Sequence, residues 1–118
     1  MIKVYTIGLG GRGRLYSNIV KDSGVAEMAG ICDTDEKKFD YAREYLGLKR
    51  EQCFSDYREL LRHVNKDDLV IIATQDEQHR EHALAAIEKG CTVLLEKPIS
   101  NREEDCEELA QAAEAAGV

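Results

Sequence analysis

The chain contains no C-x-x-C pair, no excess of basic charge, no long apolar run and no low-complexity stretch, and it has a single proline and no tryptophan. The missing C-x-x-C excludes a zinc ribbon and a thioredoxin-type redox motif. Its four cysteines, Cys32, Cys53, Cys91 and Cys106, are widely spaced instead. Cys32 and Cys91 sit in or beside apolar runs, where a thiol acts as a small hydrophobe, so these cysteines are read as structural and reduced. Lys and Arg number 16 against 23 Asp and Glu, a formal charge of −7. That balance argues against nucleic acid or an anionic membrane as partner, since both call for a basic surface. An anionic ligand must then be held locally, by backbone amides or a few placed cations. No apolar run approaches the ~20 residues of a membrane span, and the opening MIKVYTIGLGG lacks a basic region followed by an apolar stretch. The expectation is a soluble, cytoplasmic protein. With 118 residues, 43% of them hydrophobic, and neither linker nor repeat, the chain reads as one domain over residues 1–118.

Apolar runs and helical stretches alternate along the whole length. Strands are predicted at Ile2–Ile7, Val25–Cys32, Cys53–Phe54, Leu69–Ala73 and Thr92–Leu95. Between them, Arg14–Lys21 carries Leu15, Ile19 and Val20 at helical spacing and stops at Gly24. Asp35–Leu46 spaces Phe39, Ala42, Tyr45 and Leu46 along one face and stops at Gly47. Asp56 and Glu59 look like a capping box opening a helix through Leu60, Leu61 and Val64. Asp76–Lys89 is helical with Gly90 as its stop, and Ser100 with Glu103 caps an Ala-rich helix reaching Ala116. Leu69–Ala73 is apolar on both faces, the mark of a central strand in a parallel sheet covered by helices. Strand–helix alternation with short connections gives an α/β, doubly wound parallel sheet of Rossmann type, five strands with flanking helices. The end at Gly117-Val118 falls where a sixth strand is expected, so the chain is read as a fragment of a longer protein.

The first strand runs into Gly8-Leu9-Gly10-Gly11-Arg12-Gly13, a complete G-x-G-x-x-G. Gly8 permits the tight turn, Gly10 lets the backbone approach a pyrophosphate, and Gly13 lets helix and strand pack closely. The next helix aims free N–H groups and its positive dipole end at the phosphates. Asp33 follows 20 residues after Gly13, at the end of the second strand, where its carboxylate can accept from the adenosine ribose hydroxyls. The competing reading is a plain glycine-rich turn with Asp33 as a helix cap. Loop, acid and alternation together favour dinucleotide binding. A 2′-phosphate would face Asp33 and Asp35, Thr34 is small and neutral, and Lys37 and Lys38 are the nearest cations. NAD is therefore preferred over NADP. Arg12 and Arg14 either reach the pyrophosphate or are simply solvated.

Ligands of open α/β sheets bind outside the carboxyl ends of the strands. Thr74-Gln75-Asp76 follows strand four and Glu96-Lys97-Pro98 follows strand five. A lysine there either orients a hydroxyl or carbonyl and shuttles its proton, or belongs to a surface ion pair of little worth. The residues alone leave both open. His79 and His82 stand three apart on a helix, a spacing metals use, but no third ligand is evident and no metal is expected. His63, just past a helix, reads as surface.

The combined pattern of Gly8, Gly10, Gly13, Asp33, Ala73-Thr74-Gln75-Asp76-Glu77-Gln78-His79 and Glu96-Lys97-Pro98 resembles the N-terminal domain of the Gfo/Idh/MocA oxidoreductase family, over essentially all 118 residues. The resemblance implies an NAD(P)-binding half followed by an α/β half that supplies most of the substrate pocket and usually the interface of a homo-oligomer. It implies hydride transfer at a hydroxyl carbon of a sugar, cyclitol or related polyol. Lys97 would hold the reacting hydroxyl and the nicotinamide ribose, Glu96 would contact the cofactor, and the Lys97–Pro98 bond would often be cis. Thr74, Gln75 and His79 would line the nicotinamide side, and the general acid/base would lie in the second half. One departure stands out: the family commonly has Pro-Asn where Gln75-Asp76 stands. The Gly11-Arg12-Gly13-Arg14 loop also resembles a branch containing NAD-dependent glycosidases. The isolated domain is expected to bind dinucleotide and turn over little or nothing. The alternatives are glycosidase chemistry in the same superfamily and a non-catalytic dinucleotide-sensing module.

Overall fold

A computed structural model describes residues 2–74 and 76–95. Five strands, β1 (Ile2–Ile7), β2 (Ala26–Cys32), β3 (Cys53–Phe54), β4 (Leu69–Ile72) and β5 (Thr92–Leu95), form one sheet in the order β3-β2-β1-β4-β5. Every pairing is parallel. The helices between them are α1 (Gly11–Ser23), α2 (Lys38–Tyr45), α3 (Tyr57–Leu61) and α4 (Asp76–Glu88), with a short 3₁₀ turn at Arg50–Gln52. Neighbouring residues of a strand serve opposite faces. Ile31 packs with Phe39 and Ala42 of α2 and with Leu46 just after it, whereas Cys32 packs with Leu60 of α3 and Ala83 and Ile87 of α4. The sheet is thus covered on both faces, as a Rossmann-type fold requires. The strand order switches sense between β1 and β4, since β2 and β3 lie to one side of β1 and β4 and β5 to the other, and ligands of such sheets bind beyond the carboxyl ends at that point.

Most element boundaries follow the sequence signals. Gly24 ends α1 in the left-handed region at φ 76°. The Asp56 side chain caps α3 by accepting from the Arg58 amide at 2.9 Å, although no returning bond from Glu59 is found among the described residues. The helix also closes sooner than its apolar spacing suggests. Beyond Leu61 the chain tightens into turns, His63 N–H to Leu60 C=O and Val64 N–H to Leu61 C=O, which still carry Val64 into the core. Helix α2 starts at Lys38 rather than Asp35, because the Asp35 side chain accepts from the Lys37 amide and forms a turn first. His63 is on the surface, against the ring of Phe54. The predicted helix from Ser100 to Ala116, and Cys106 within it, lie outside the described residues.

Helix α1 differs from expectation in a way that matters for the site. The apolar residues Leu15 and Ile19 are 49% and 57% exposed, while Gly13 and Ser17 face the sheet. The cause is the close approach at Gly13. A Cβ there would stand 1.9 Å from the Gly8 carbonyl oxygen. With the helix held that near the strand, only a small residue fits one turn later. Ser17 fills that place and shares a buried 2.8 Å hydrogen bond with Thr6 of β1.

Candidate functional site

A cavity of about 670 Å³ opens at the carboxyl ends of the strands, where the order reverses between β1 and β4. Its floor is the glycine loop. Gly8 has φ +93°, a conformation that side chains rarely adopt, and donates its N–H to the Cys32 carbonyl at 2.8 Å. A Cβ on Gly8 would meet the Ala73 carbonyl carbon and oxygen and the Thr74 methyl, all at 2.9 Å. Gly10 is the opposite case: nothing lies within 4 Å of the position its Cβ would take. It is the N-cap of α1, with extended backbone, no side-chain cap and no acid in the first turn that follows. Among the described residues no side chain caps the first amides of α1, which leaves their donors and the positive dipole end toward the cavity. That is a cradle for an anionic group such as a pyrophosphate.

Asp33 closes the end of β2. Its Oδ2 accepts from the Leu9 amide and its Oδ1 from the Asp35 amide, each at 2.8 Å, and its own amide donates to the Phe54 carbonyl at 3.0 Å. The carboxylate is fixed against the glycine loop and also lines the cavity. Each oxygen has a further lone pair for a ligand hydroxyl. Thr34 and Lys38 complete this wall, and Lys37 does not reach it.

Two open questions about the loop arginines separate here. Arg14 neither points into the cavity nor is simply solvated: its Nε donates to the Leu9 carbonyl at 3.2 Å, and its guanidinium lies 4.5 Å over the Tyr41 ring. It braces the loop against α2. The backbone of Gly11 and Arg12 opens α1, and the Arg12 side chain lies outside the described part of the structure. Gln75, Glu96 and Lys97 are outside the described residues, and so is the side chain of His79, whose backbone is in α4. Of the expected site residues, then, the structure brings Gly8, Gly10, Asp33, Thr34 and Thr74 around one cavity, while Gly11 and Gly13 stand in the first turn of α1 and do not line it.

The opposite wall has no counterpart in the sequence reading. The segment after β3 brings Ser55, Asp56, Tyr57 and Arg58 to the cavity, and α4 brings Glu81 and His82. The Tyr57 hydroxyl donates to Glu81 Oε1 at 2.7 Å, and the Arg58 guanidinium reaches the same oxygen at 3.4 Å. Burial, together with that carboxylate, pushes the Tyr57 phenol up, so it remains a protonated donor. The Tyr57 ring lies 4.3 Å from the His82 ring, tilted by 55°, and His82 Nδ1 and Thr74 Oγ1 share a 3.1 Å hydrogen bond. Strand order was the available signal. With β3 beside β2, the loop after β3 must border any ligand lying across β2.

Cys32 also lines the cavity, but as a wall. Burial pushes its thiol up to about 12, helped by the Asp33 and Asp56 carboxylates, so it carries almost no thiolate at neutral pH. Cys53 and Cys91 are likewise buried free thiols pushed up by burial.

The chain matches the GFO_IDH_MocA family model, an oxidoreductase family with an NAD-binding Rossmann fold, over residues 2–118. It is 31% identical over 123 residues to a glycosyl hydrolase family 109 protein of Shewanella sp. (strain ANA-3), covering 97% of this chain and 26% of that protein. It is 29% identical over 114 residues to glucose-6-phosphate 3-dehydrogenase of Bacillus subtilis, covering 97% of this chain and 31% of that enzyme. Among solved structures, the WlbA dehydrogenase of Bordetella pertussis, in complex with NADH and UDP-GlcNAcA, matches with a TM-score of 0.88 and 28% identity. That match covers 99% of this chain and 34% of the dehydrogenase. The chain spans about a quarter to a third of the length of the curated relatives it matches.

Proposed function

Since this chain belongs to the Gfo/Idh/MocA oxidoreductase family and has its NAD-binding Rossmann fold, we propose that it is the NAD-holding part of a dehydrogenase acting on a sugar, cyclitol or related polyol. The observation that carries this reading is the pairing of an uncapped α1 N-terminus at Gly10 with a fixed carboxylate at Asp33, both on one cavity at the reversal of strand order. The α1 amides take the pyrophosphate and Asp33 takes the adenosine ribose hydroxyls. NAD is favoured over NADP because a 2′-phosphate at Asp33 meets like charge. Thr74 borders the nicotinamide half in this reading, and the family resemblance assigns Gln75 and His79 to the same side. Bound NAD supplies the hydride donor or acceptor, and the protein supplies geometry and electrostatics.

Lys97 holds the reacting hydroxyl in this reading and Glu96 steadies the cofactor side, roles that rest on the Glu96-Lys97-Pro98 triplet. A second α/β domain in the longer protein supplies the acid/base group, most of the substrate pocket and a homo-oligomer interface. The sugar-type substrate is supported by relatives named for glucose 6-phosphate and for a complex with UDP-GlcNAcA. The protein works in the cytoplasm, where its buried thiols stay reduced, and this chain alone turns over no substrate.

Titration of the 118-residue chain with NADH and NADPH by nucleotide fluorescence tests the cofactor reading. Tighter NADH binding that Asp33→Ala weakens by about tenfold supports it, that being the size of one charge-assisted contact. Equal affinity for both cofactors sinks the NAD preference. A second reading is favoured by the Gly11-Arg12-Gly13-Arg14 loop and the similarity to a glycosyl hydrolase family 109 protein: glycoside cleavage with NAD retained. Release of sugar without net NADH, measured on the longer protein, would establish it over the dehydrogenase.

A further inference from the structure

Resting on the reading of this cavity as a dinucleotide site, we propose that His82 is a positioning residue that sets Thr74, and through it the wall of the nicotinamide half. Thr74 is the first side chain past Ala73, whose amide still pairs with the Ile7 carbonyl at 2.9 Å as β1 and β4 part. Both substituents on its Cβ are engaged. The methyl lies against Gly8, 2.9 Å from where a Cβ of that glycine would stand, and the hydroxyl shares the 3.1 Å hydrogen bond with His82 Nδ1. A β-branched side chain has few χ1 wells, and meeting both demands selects one of them.

The imidazole is itself held. His82 is only 8% exposed on α4, with the Tyr57 ring at 4.3 Å from α3. The Tyr57 hydroxyl is tied to Glu81, the residue before His82, so α3 and α4 fix the ring together. As a space-filler against Tyr57, a phenylalanine would serve equally well. What the imidazole adds is a polar atom at hydrogen-bonding distance from a residue that touches the glycine loop. His82 thus links α4 to the geometry at Gly8 without belonging to the glycine loop or to the Asp33 wall.

The test uses the 118-residue chain, NADH fluorescence titration and a thermal melt of each variant. His82→Phe keeps an aromatic ring and removes both ring nitrogens, His82→Asn restores a polar atom near the Nδ1 position alone, and Thr74→Val keeps the shape and removes the hydroxyl. Loss of one hydrogen bond corresponds to roughly a 3- to 10-fold weaker Kd, the effect expected for His82→Phe and for Thr74→Val. His82→Asn is expected within about twofold of the unmutated chain, and Thr74→Val with His82→Phe no weaker than Thr74→Val alone, because the two act as one unit. A merely structural role for His82 would lower the melting temperature without producing that non-additivity or the rescue by asparagine. Unchanged NADH affinity in His82→Phe, or losses that add in the double variant, overturns the proposal while leaving the dinucleotide reading in place. If His82→Phe does not fold, unchanged affinity in Thr74→Val overturns it instead. No NADH binding by the unmutated chain overturns both.

Discussion

Replacing Gly13 by alanine is the sharpest test of how the glycine loop is built. The added Cβ would sit 1.9 Å from the Gly8 oxygen and 3.0 Å from its carbonyl carbon. Close C···O contacts run near ~3.3 Å, so α1 must retreat by about 1.4 Å, since a backbone carbonyl cannot swing aside as a flexible side chain can. Overpacking of this kind costs about 1–3 kcal/mol. The retreat also strains the Thr6–Ser17 hydrogen bond, which is fully buried and worth about 1 kcal/mol. Against these stands a gain of about 0.5–1 kcal/mol from replacing glycine by alanine in a helix. The net expectation is a loss of about 2 kcal/mol, or roughly an 8 °C lower Tm for a domain of this size. Gly11→Ala is the matched control, because nothing lies within 4 Å of its added Cβ. That variant should melt at or slightly above the parent. Thermal and urea unfolding by circular dichroism read both. A Gly13→Ala chain melting within about 2 °C of Gly11→Ala would refute the close-approach argument.

Gly10→Ala should leave the melt unchanged, since its Cβ meets nothing, yet weaken NADH binding by about tenfold or more by filling the space where the phosphate approaches the backbone; an undisturbed Kd would mean the ligand lies elsewhere. Cys32 gives a pH signature. Its folded pKa, about 12, lies above the ordinary 9.0, so its contribution to stability is complete below pH 9 and is lost as pH rises toward 12. Each unit in that window removes up to about 1.4 kcal/mol, so urea midpoints should fall less between pH 8 and pH 10 in Cys32→Ala than in the parent; identical falls would exclude the assignment. On α1, Ile19→Lys should change stability by less than about 0.5 kcal/mol whereas Ser17→Leu should cost about 1–3 kcal/mol, and the reverse order in urea unfolding would mean the helix is rotated otherwise.

The sheet was legible because local signals and tertiary demands agreed. Leu69–Ile72 is apolar without alternation, and it lies between β1 and β5 with Val70, Ile71 and Ile72 buried. The stops at Gly24, Gly47 and Gly90 all take positive φ, which is why glycine marked the helix ends. Asp33 was legible for a similar reason: its position at the end of β2 follows from chain length alone, and the Leu9 amide then holds it beside the loop.

What failed to show in the sequence is where one element sets the orientation of another. Periodicity marked Leu15 and Ile19 as a helical stripe, yet the contact that orients α1 is an absence of side chain at Gly13, which a search for apolar residues cannot weigh. The same holds for the second wall of the cavity. Tyr57, Glu81 and His82 come from segments more than 20 residues apart and meet only because β3 and β4 carry α3 and α4 onto one face. In sequence, Asp56 announced a helix start, and His82 suggested at most a metal spacing with His79. Its Nδ1 meets Thr74 only because that residue follows β4 at the cavity, so the histidine could be read as lining this cavity only after the strand order was known.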